Sequence, residues 1–157
     1  MKKLIPFVIV FFTTTVAEAQ PKPSVQPIPV TKFKPPVVQS FLGRQTGKTA
    51  ACTAEEAKQL VQLPLKVMDA KKQEYQIASY QVAYTRIVVT EDEQTGKPAL
   101  STDQVGQRFT QTPLPEIWQT NMIETLRKGE TIHIFDIICY DQQKRLFFAP
   151  ELKIQIQ

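Results

Sequence analysis

The sequence predicts a mainly β domain with one or two short helices, and three observations support this fold class. Tyr75 to Thr90 is a long stretch rich in β-branched and aromatic residues, which favour strands. Leu152 to Gln157 alternates apolar and polar side chains, as an amphipathic strand does. Two short segments, which follow the capping residues Thr53 and Thr112, are expected to be helical.

The first half of the domain predicts short elements. Val37 to Leu42 is expected to form a short strand. Thr53 and Glu56 have the spacing of a capping box, in which each side chain accepts a hydrogen bond from the other residue's backbone N–H. A short helix should then extend to about Leu60. The apolar segment from Val61 to Met68 contains a proline, which favours an edge or kinked strand.

The middle of the chain predicts two long strands joined by a turn. Tyr75 to Thr90 needs one slip near Ala78-Ser79 to keep its apolar side chains on one face. Glu91 to Pro98 is typical of a hairpin turn, and Ala99 to Phe109 should return as a weaker strand.

A second helix is expected after this hairpin. Thr112 is predicted to cap it, because the prolines that follow are tolerated in a first turn. Four apolar residues recur at intervals of four and predict a face that packs on the sheet: Leu114, Trp118, Met122 and Leu126. The helix should end at Gly129, a residue suited to a left-handed C-cap.

The last segment predicts two or three closely spaced strands. In Thr131 to Tyr140 the apolar alternation slips at Phe135-Asp136, which indicates a β-bulge. Asp141 to Lys144 is a polar turn, and Leu146 to Phe148 continues as strand. Because Pro150 interrupts this strand, the final strand is expected to lie at an edge or to be bulged.

The N-terminus has the organisation of an exported protein. Two lysines precede an apolar run from Leu4 to Phe12, and the small residues at 17–19 favour cleavage after Ala19. The run is too short to span a bilayer, which takes about 20 residues. Residues 1–19 are therefore a predicted signal peptide, and the mature protein is expected to be periplasmic or secreted, without a membrane span. Residues 20–36 are rich in proline and predict a semi-rigid spacer, which could also bind a proline-recognising groove.

The composition argues against several functions. A formal net charge of +4, spread along the chain, is too weak for a nucleic-acid surface. Gly43 and Gly47 have the wrong spacing for a nucleotide-binding P-loop, although Lys48 and Thr49 follow them. The single histidine, His133, has no partner histidine for a metal set or a triad. No metal, cofactor or catalytic site is predicted, and the chain is not expected to be an enzyme.

Cys52 and Cys139 are the two cysteines of the chain. Export would allow a disulfide between them. Two buried, unpaired cysteines are an equally open interpretation, because free cysteine is often fully buried.

Carboxylates are the remaining candidates for chemistry. Glu91, Asp92 and Glu93 form the densest acidic cluster, but they lie in a predicted turn and favour a solvated surface. Asp136 lies at the predicted bulge, where side chains are redirected. A hydrogen bond from its side chain to local backbone is favoured over a catalytic role.

Several motifs occur in an order that resembles the C-terminal, Ig-like domain of the GldM family, whose members serve gliding motility and type IX secretion in Bacteroidetes. The motifs are the glycine pair at 43 and 47 before a capped helix, Ile77 to Val82, Gly106 to Thr110, and Leu126 to Ile137, which includes Gly129 and Asp136. The resemblance covers residues 37–157. Cys139 and the turn at 141–144 depart from the family pattern.

The resemblance implies an Ig-like antiparallel β-sandwich at residues 37–157 and a free-standing copy of a periplasmic tip domain. It implies a non-catalytic protein-interaction module whose partners lie in the cell envelope, including gliding or type IX secretion components. The alternative is a small secreted β-sandwich that binds a glycan or inhibits an exported enzyme. Tyr75, Tyr84 and Tyr140 on one open face would favour a glycan, whereas an open edge strand would favour a protein.

Overall fold

Strands predominate over two short helices in the computed structural model, which describes residues 33–92 and 94–157. The predicted signal peptide and residues 20–32 of the predicted spacer lie outside the described residues. The strands are β1 (Val38–Leu42), β2 (Gln45–Thr46), β3 (Thr49–Cys52), β4 (Leu65–Asp69), β5 (Gln76–Glu91), β6 (Pro98–Phe109), β7 (Thr131–Tyr140), β8 (Leu146–Ala149) and β9 (Leu152–Ile156). The helices are α1 (Ala54–Leu60) and α2 (Glu116–Thr125).

The strands form two packed sheets. The smaller has the order β2-β1-β4, and the larger has the order β3-β9-β7-β5-β6, with β8 also paired to β7. One apolar core joins residues from both sheets and both helices, including Val67, Tyr80, Met122 and Ile154. The predicted fold class, a mainly β sandwich with short helices, is confirmed. Among the described strands, β3 pairs with β9 in parallel, whereas the other pairs are antiparallel.

The final strand does not lie at an edge, so the first of its two predicted alternatives was wrong. β9 lies between β3 and β7. Ile134 pairs with Leu152 and Ile137 pairs with Ala149, so β8 and β9 follow one path along the same side of β7. Pro150 falls between them, where neither ladder needs its missing N–H.

The predicted bulge in β7 is confirmed. Asp136 has a φ of 48°, which is rare for a residue with a side chain. Against β5, the register moves from Gln81 opposite Phe135 to Ser79 opposite Ile138. The extra residue keeps the side chains on both sides of the bulge directed into the core.

The two helices begin differently from each other. In α1 the predicted capping box is present: Thr53 Oγ1 accepts from Glu56 N, and Glu56 Oε2 accepts from Thr53 N. The predicted cap of α2 was wrong, because α2 begins after Pro115, which provides no side-chain hydrogen bond. Thr112 instead accepts from Leu65 N at 2.7 Å and ties the helix approach to β4.

Gly129 does not cap α2, which corrects a second prediction about this helix. The helix ends at Thr125 with Leu126 as its C-cap. Gly129 has the expected positive φ of 93°, but in the turn that leads to β7, where its N–H donates to Ile156 O at 2.9 Å. The positive φ favours glycine, and a Cβ at this position would lie 2.9 Å from Ile87 Cδ1, so the end of that side chain would have to move.

Candidate functional site

The two cysteines are buried and free, so the interpretation with a disulfide was wrong. Cys52 on β3 pairs with Ile156 on β9. The backbone N–H of Ile156 donates to Glu130 O, just before the start of β7, whereas Cys139 lies near the opposite end of β7. At about 3.3 Å per strand residue they are on the order of 25 Å apart, whereas a disulfide needs Cα atoms within about 7 Å. Burial raises the pKa of both thiols, to about 12 for Cys139; for Cys52 burial outweighs the opposing charge of Arg44.

Asp136 is exposed and joins two neighbouring strands. Its Oδ2 accepts from Gln81 Nε2 at 2.6 Å. The predicted hydrogen bond to local backbone was therefore wrong, because the partner is a side chain on β5. The bulge directs this carboxylate across the outer face of the larger sheet.

His133 lies on the same outer face. Its Nε2 is 3.0 Å from Glu151 Oε2, and its ring stacks on Phe135 with centroids 4.9 Å apart. Within residues 33–92 and 94–157, no group of three or more histidine, cysteine and acidic side chains is placed to hold a metal ion. None of the helices in this part of the chain is both long and apolar enough to cross a membrane.

The three tyrosines of the glycan hypothesis do not share one open face. Tyr84 is buried, and Tyr75 is half-buried with its ring edge-on to Phe147 at 5.4 Å between centroids. Tyr140 is on the outer face of β7, because the adjacent Cys139 points into the core. This arrangement does not provide the stacked platform that a sugar ring requires.

A polar cavity of about 340 Å³ lies between the loop after β4 and the turn after β7. Its carboxylates, Asp69 and Asp141, each accept backbone N–H bonds from their own turns. These two carboxylates therefore stabilise the turns that border the cavity.

The outer edge of β6 is open. Strand β6 ends the order of the larger sheet, and no strand within the described ranges pairs with its second side. Except for Phe109 and two half-buried positions, its residues are exposed.

The hairpin register shows which backbone groups this edge presents. Asp92 N donates to Lys97 O at 2.9 Å, and antiparallel pairs alternate between bonded and unbonded along the ladder. Ile87 N accordingly turns away from β6 and donates to Glu130 Oε1. By the same alternation, five residues direct N–H and C=O outward: Leu100, Thr102, Gln104, Gly106 and Arg108.

A mainly apolar groove adjoins this edge. It lies between α2 and the face of β5 and β6 that carries Tyr84 and Val105, and has a volume of about 390 Å³. Trp118 and Met122 of α2 form its other wall, and Arg86 and Glu124 lie at its rim. The groove and the open edge thus form one continuous surface.

Trp118 fixes one side of the groove. Its Nε1 donates to Gln107 Oε1 at 3.0 Å, and its ring is edge-on to Phe109 at 5.2 Å between centroids. The predicted placement of Trp118 on the packed face of α2 agrees with these contacts.

Glu130 fixes the other side and was not recognised from the sequence as a contact residue. It is 2% exposed and accepts from the Tyr84 hydroxyl, from Ile87 N at 3.0 Å and from Arg127 N at 2.9 Å. Burial, and to a smaller extent the hydrogen bond to Glu130, raises the pKa of Tyr84 to about 12. The only sequence signal was its place in the Leu126 to Ile137 motif, which does not reveal which donors the carboxylate meets.

No known protein family matches the chain, and no curated protein is similar enough to it to count as a match.

Proposed function

We propose that this protein is a non-catalytic, exported interaction module that binds an extended segment of a protein partner along the open edge of β6. The observation that carries the proposal is the row of outward backbone groups on β6. An extended partner chain can pair with such a row and add a strand to the sheet.

The sequence of β6 leaves its edge suited to pairing. Proline occurs at its first residue, Pro98, and at none of the five outward positions. The charge of Asp103 is matched by Arg86, whose Nη2 lies 2.6 Å away. Prolines and charged side chains commonly protect an edge strand from unwanted pairing. The edge of β6 has no interior proline, and one of its charges is compensated.

The proposed location of the partner rests on the predicted signal peptide at residues 1–19 and on the resemblance to the GldM C-terminal family. Both support an exported module whose partners are proteins of the cell envelope, including gliding or type IX secretion components. The alternative function, glycan binding, has weaker support because Tyr75, Tyr84 and Tyr140 are divided between separate environments.

The edge can be blocked without disturbing the hairpin. In Gln104→Pro the missing N–H is one that points away from β5, so the β5–β6 ladder keeps its bonds. We expect this variant to lose capture of envelope proteins by at least about tenfold, the loss that follows from removing roughly one or two backbone hydrogen bonds from an interface. The measurement is crosslinking and pull-down from cell envelope, quantified by mass spectrometry.

Gln104→Thr is the matched control, because it changes the side chain but keeps the N–H. Recovery of gliding or type IX components by wild type and by this control, but not by Gln104→Pro, supports the proposal. Equal recovery by all three, or recovery of nothing beyond an empty matrix, contradicts it.

A further inference from the structure

We infer that the groove beside β6 selects the partner, by taking one large apolar side chain from the added strand and favouring a basic residue two positions from it. This inference rests on the proposed strand addition at β6. It goes further because it states the chemistry of the segment that binds.

The register places the anchor. Val105 pairs with Tyr84 and directs its backbone groups toward β5, so it would form an unbonded pair with a strand on the open side. Side chains approach most closely across such pairs. The partner residue opposite Val105 would lie on the same face as Val105, which is the face that α2 covers.

The lining of the groove sets the type of side chain. Tyr84, Val105, Trp118 and Met122 present mainly carbon atoms around a volume of about 390 Å³. The added strand would lie about 4.8 Å beyond β6, so a side chain must be long enough to reach back under α2. Leucine, methionine and phenylalanine meet both requirements.

The charges at the rim set the neighbouring residue. Arg86 is paired with Asp103, whereas Glu124 is exposed and forms no ion pair with any other described residue. Residues two apart on a strand share a face. A lysine or arginine beside the anchor would therefore meet an uncompensated carboxylate.

The test uses fluorescein-labelled synthetic peptides of alternating threonine and serine, with leucine or serine at a central guest position and lysine or glutamate two residues before or two residues after it, so that both directions of the added strand are covered. Binding to the full exported chain is followed by fluorescence anisotropy. We expect leucine to bind about tenfold more tightly than serine, since burying a leucine is worth about 1.5–3 kcal/mol. Lysine should bind about threefold more tightly than glutamate, as expected for an exposed ion pair.

Three variants assign these preferences. Asn121 is exposed on α2 at the groove, so Asn121→Trp should fill the groove and abolish the preference for leucine, whereas the control Asn121→Gln should keep it. Glu124→Gln should abolish the preference for lysine alone. Circular dichroism checks that each variant is folded.

The outcomes separate the two proposals. If leucine and serine peptides bind equally, and Gln104→Pro abolishes both, the anchor inference is wrong and strand addition stands. If leucine is preferred but Asn121→Trp does not change the preference, the anchor lies elsewhere and the inference is also wrong. If no peptide binds, or Gln104→Pro binds like wild type, strand addition itself is contradicted.

Discussion

At the scale of single residues, Glu130 joins parts of the chain that are distant in sequence. Its carboxylate accepts from the Tyr84 hydroxyl on β5 and from Arg127 N after α2. Tyr84 also contacts Thr125 Oγ1 at 3.1 Å, so the end of α2 is held against the sheet. A buried carboxylate is stable in this position because each donor compensates for lost solvation.

Removing this carboxylate should therefore destabilise the fold strongly. We expect Glu130→Ala to lower the free energy of unfolding by about 3 kcal/mol, because it leaves two backbone N–H groups and a hydroxyl without their acceptor. Tyr84→Phe removes the hydroxyl with its contacts to Glu130 and Thr125 but keeps both backbone N–H bonds to Glu130, so its cost should be about 1 kcal/mol. Urea unfolding followed by tryptophan fluorescence measures both values. Equal losses in the two variants would mean that the backbone bonds contribute little.

At the scale of secondary structure, local patterns predicted the elements whose cause is local. The capping box of α1 depends on Thr53 and Glu56 alone. The bulge at Asp136 was visible because it is the only way to keep Ile134 and Ile137 on one face. Both were predicted correctly from a few neighbouring residues.

The errors concern elements whose partners are distant in sequence. Thr112 resembles a helix cap, but its hydroxyl is used by Leu65 N of β4. Pro150 suggested an edge, but β3 pairs with β9 through backbone groups that carry no sequence signature. The open edge and the groove were likewise beyond prediction, because they depend on which strand ends the sheet and where α2 lies.

The turns at Asp69 and Asp92 predict a loss of stability in acid. The pKa of Asp69 is lowered chiefly by the hydrogen bond from the backbone N–H of Gln73. The pKa of Asp92 is lowered chiefly by the hydrogen bond from the Thr95 hydroxyl. A carboxylate with a lowered pKa in the folded state stabilises the fold at pH values above its unfolded-state pKa, near 3.8 for Asp. This stabilisation is lost as the pH falls through the folded-state pKa.

We expect the melting temperature to fall as the pH is lowered from about 5 to below the ordinary Asp pKa of about 3.9. In Asp69→Asn the amide oxygen can still accept the turn N–H bonds but does not titrate, so the slope against pH should be smaller than in wild type. Differential scanning calorimetry at a series of pH values measures both slopes. An unchanged slope in this variant would exclude Asp69 as a source of the dependence.

At the scale of the whole molecule, one core connects both sheets and both helices. Cys52 and Cys139 lie at opposite ends of the larger sheet but belong to this same core. If the core unfolds as one cooperative unit, both thiols should become accessible in a single transition.

Thiol labelling checks this expectation and the absence of a disulfide together. In the folded protein we expect neither cysteine to react at an appreciable rate, because both are buried and burial raises the pKa of Cys139 to about 12, which keeps its thiol protonated. In urea and without reductant both should react, and the labelled fraction should follow the unfolding curve. Mass spectrometry after labelling with iodoacetamide counts the modified thiols. Labelling only after reduction would show a disulfide, and labelling of one thiol before the other would show that the two ends of the sandwich open separately.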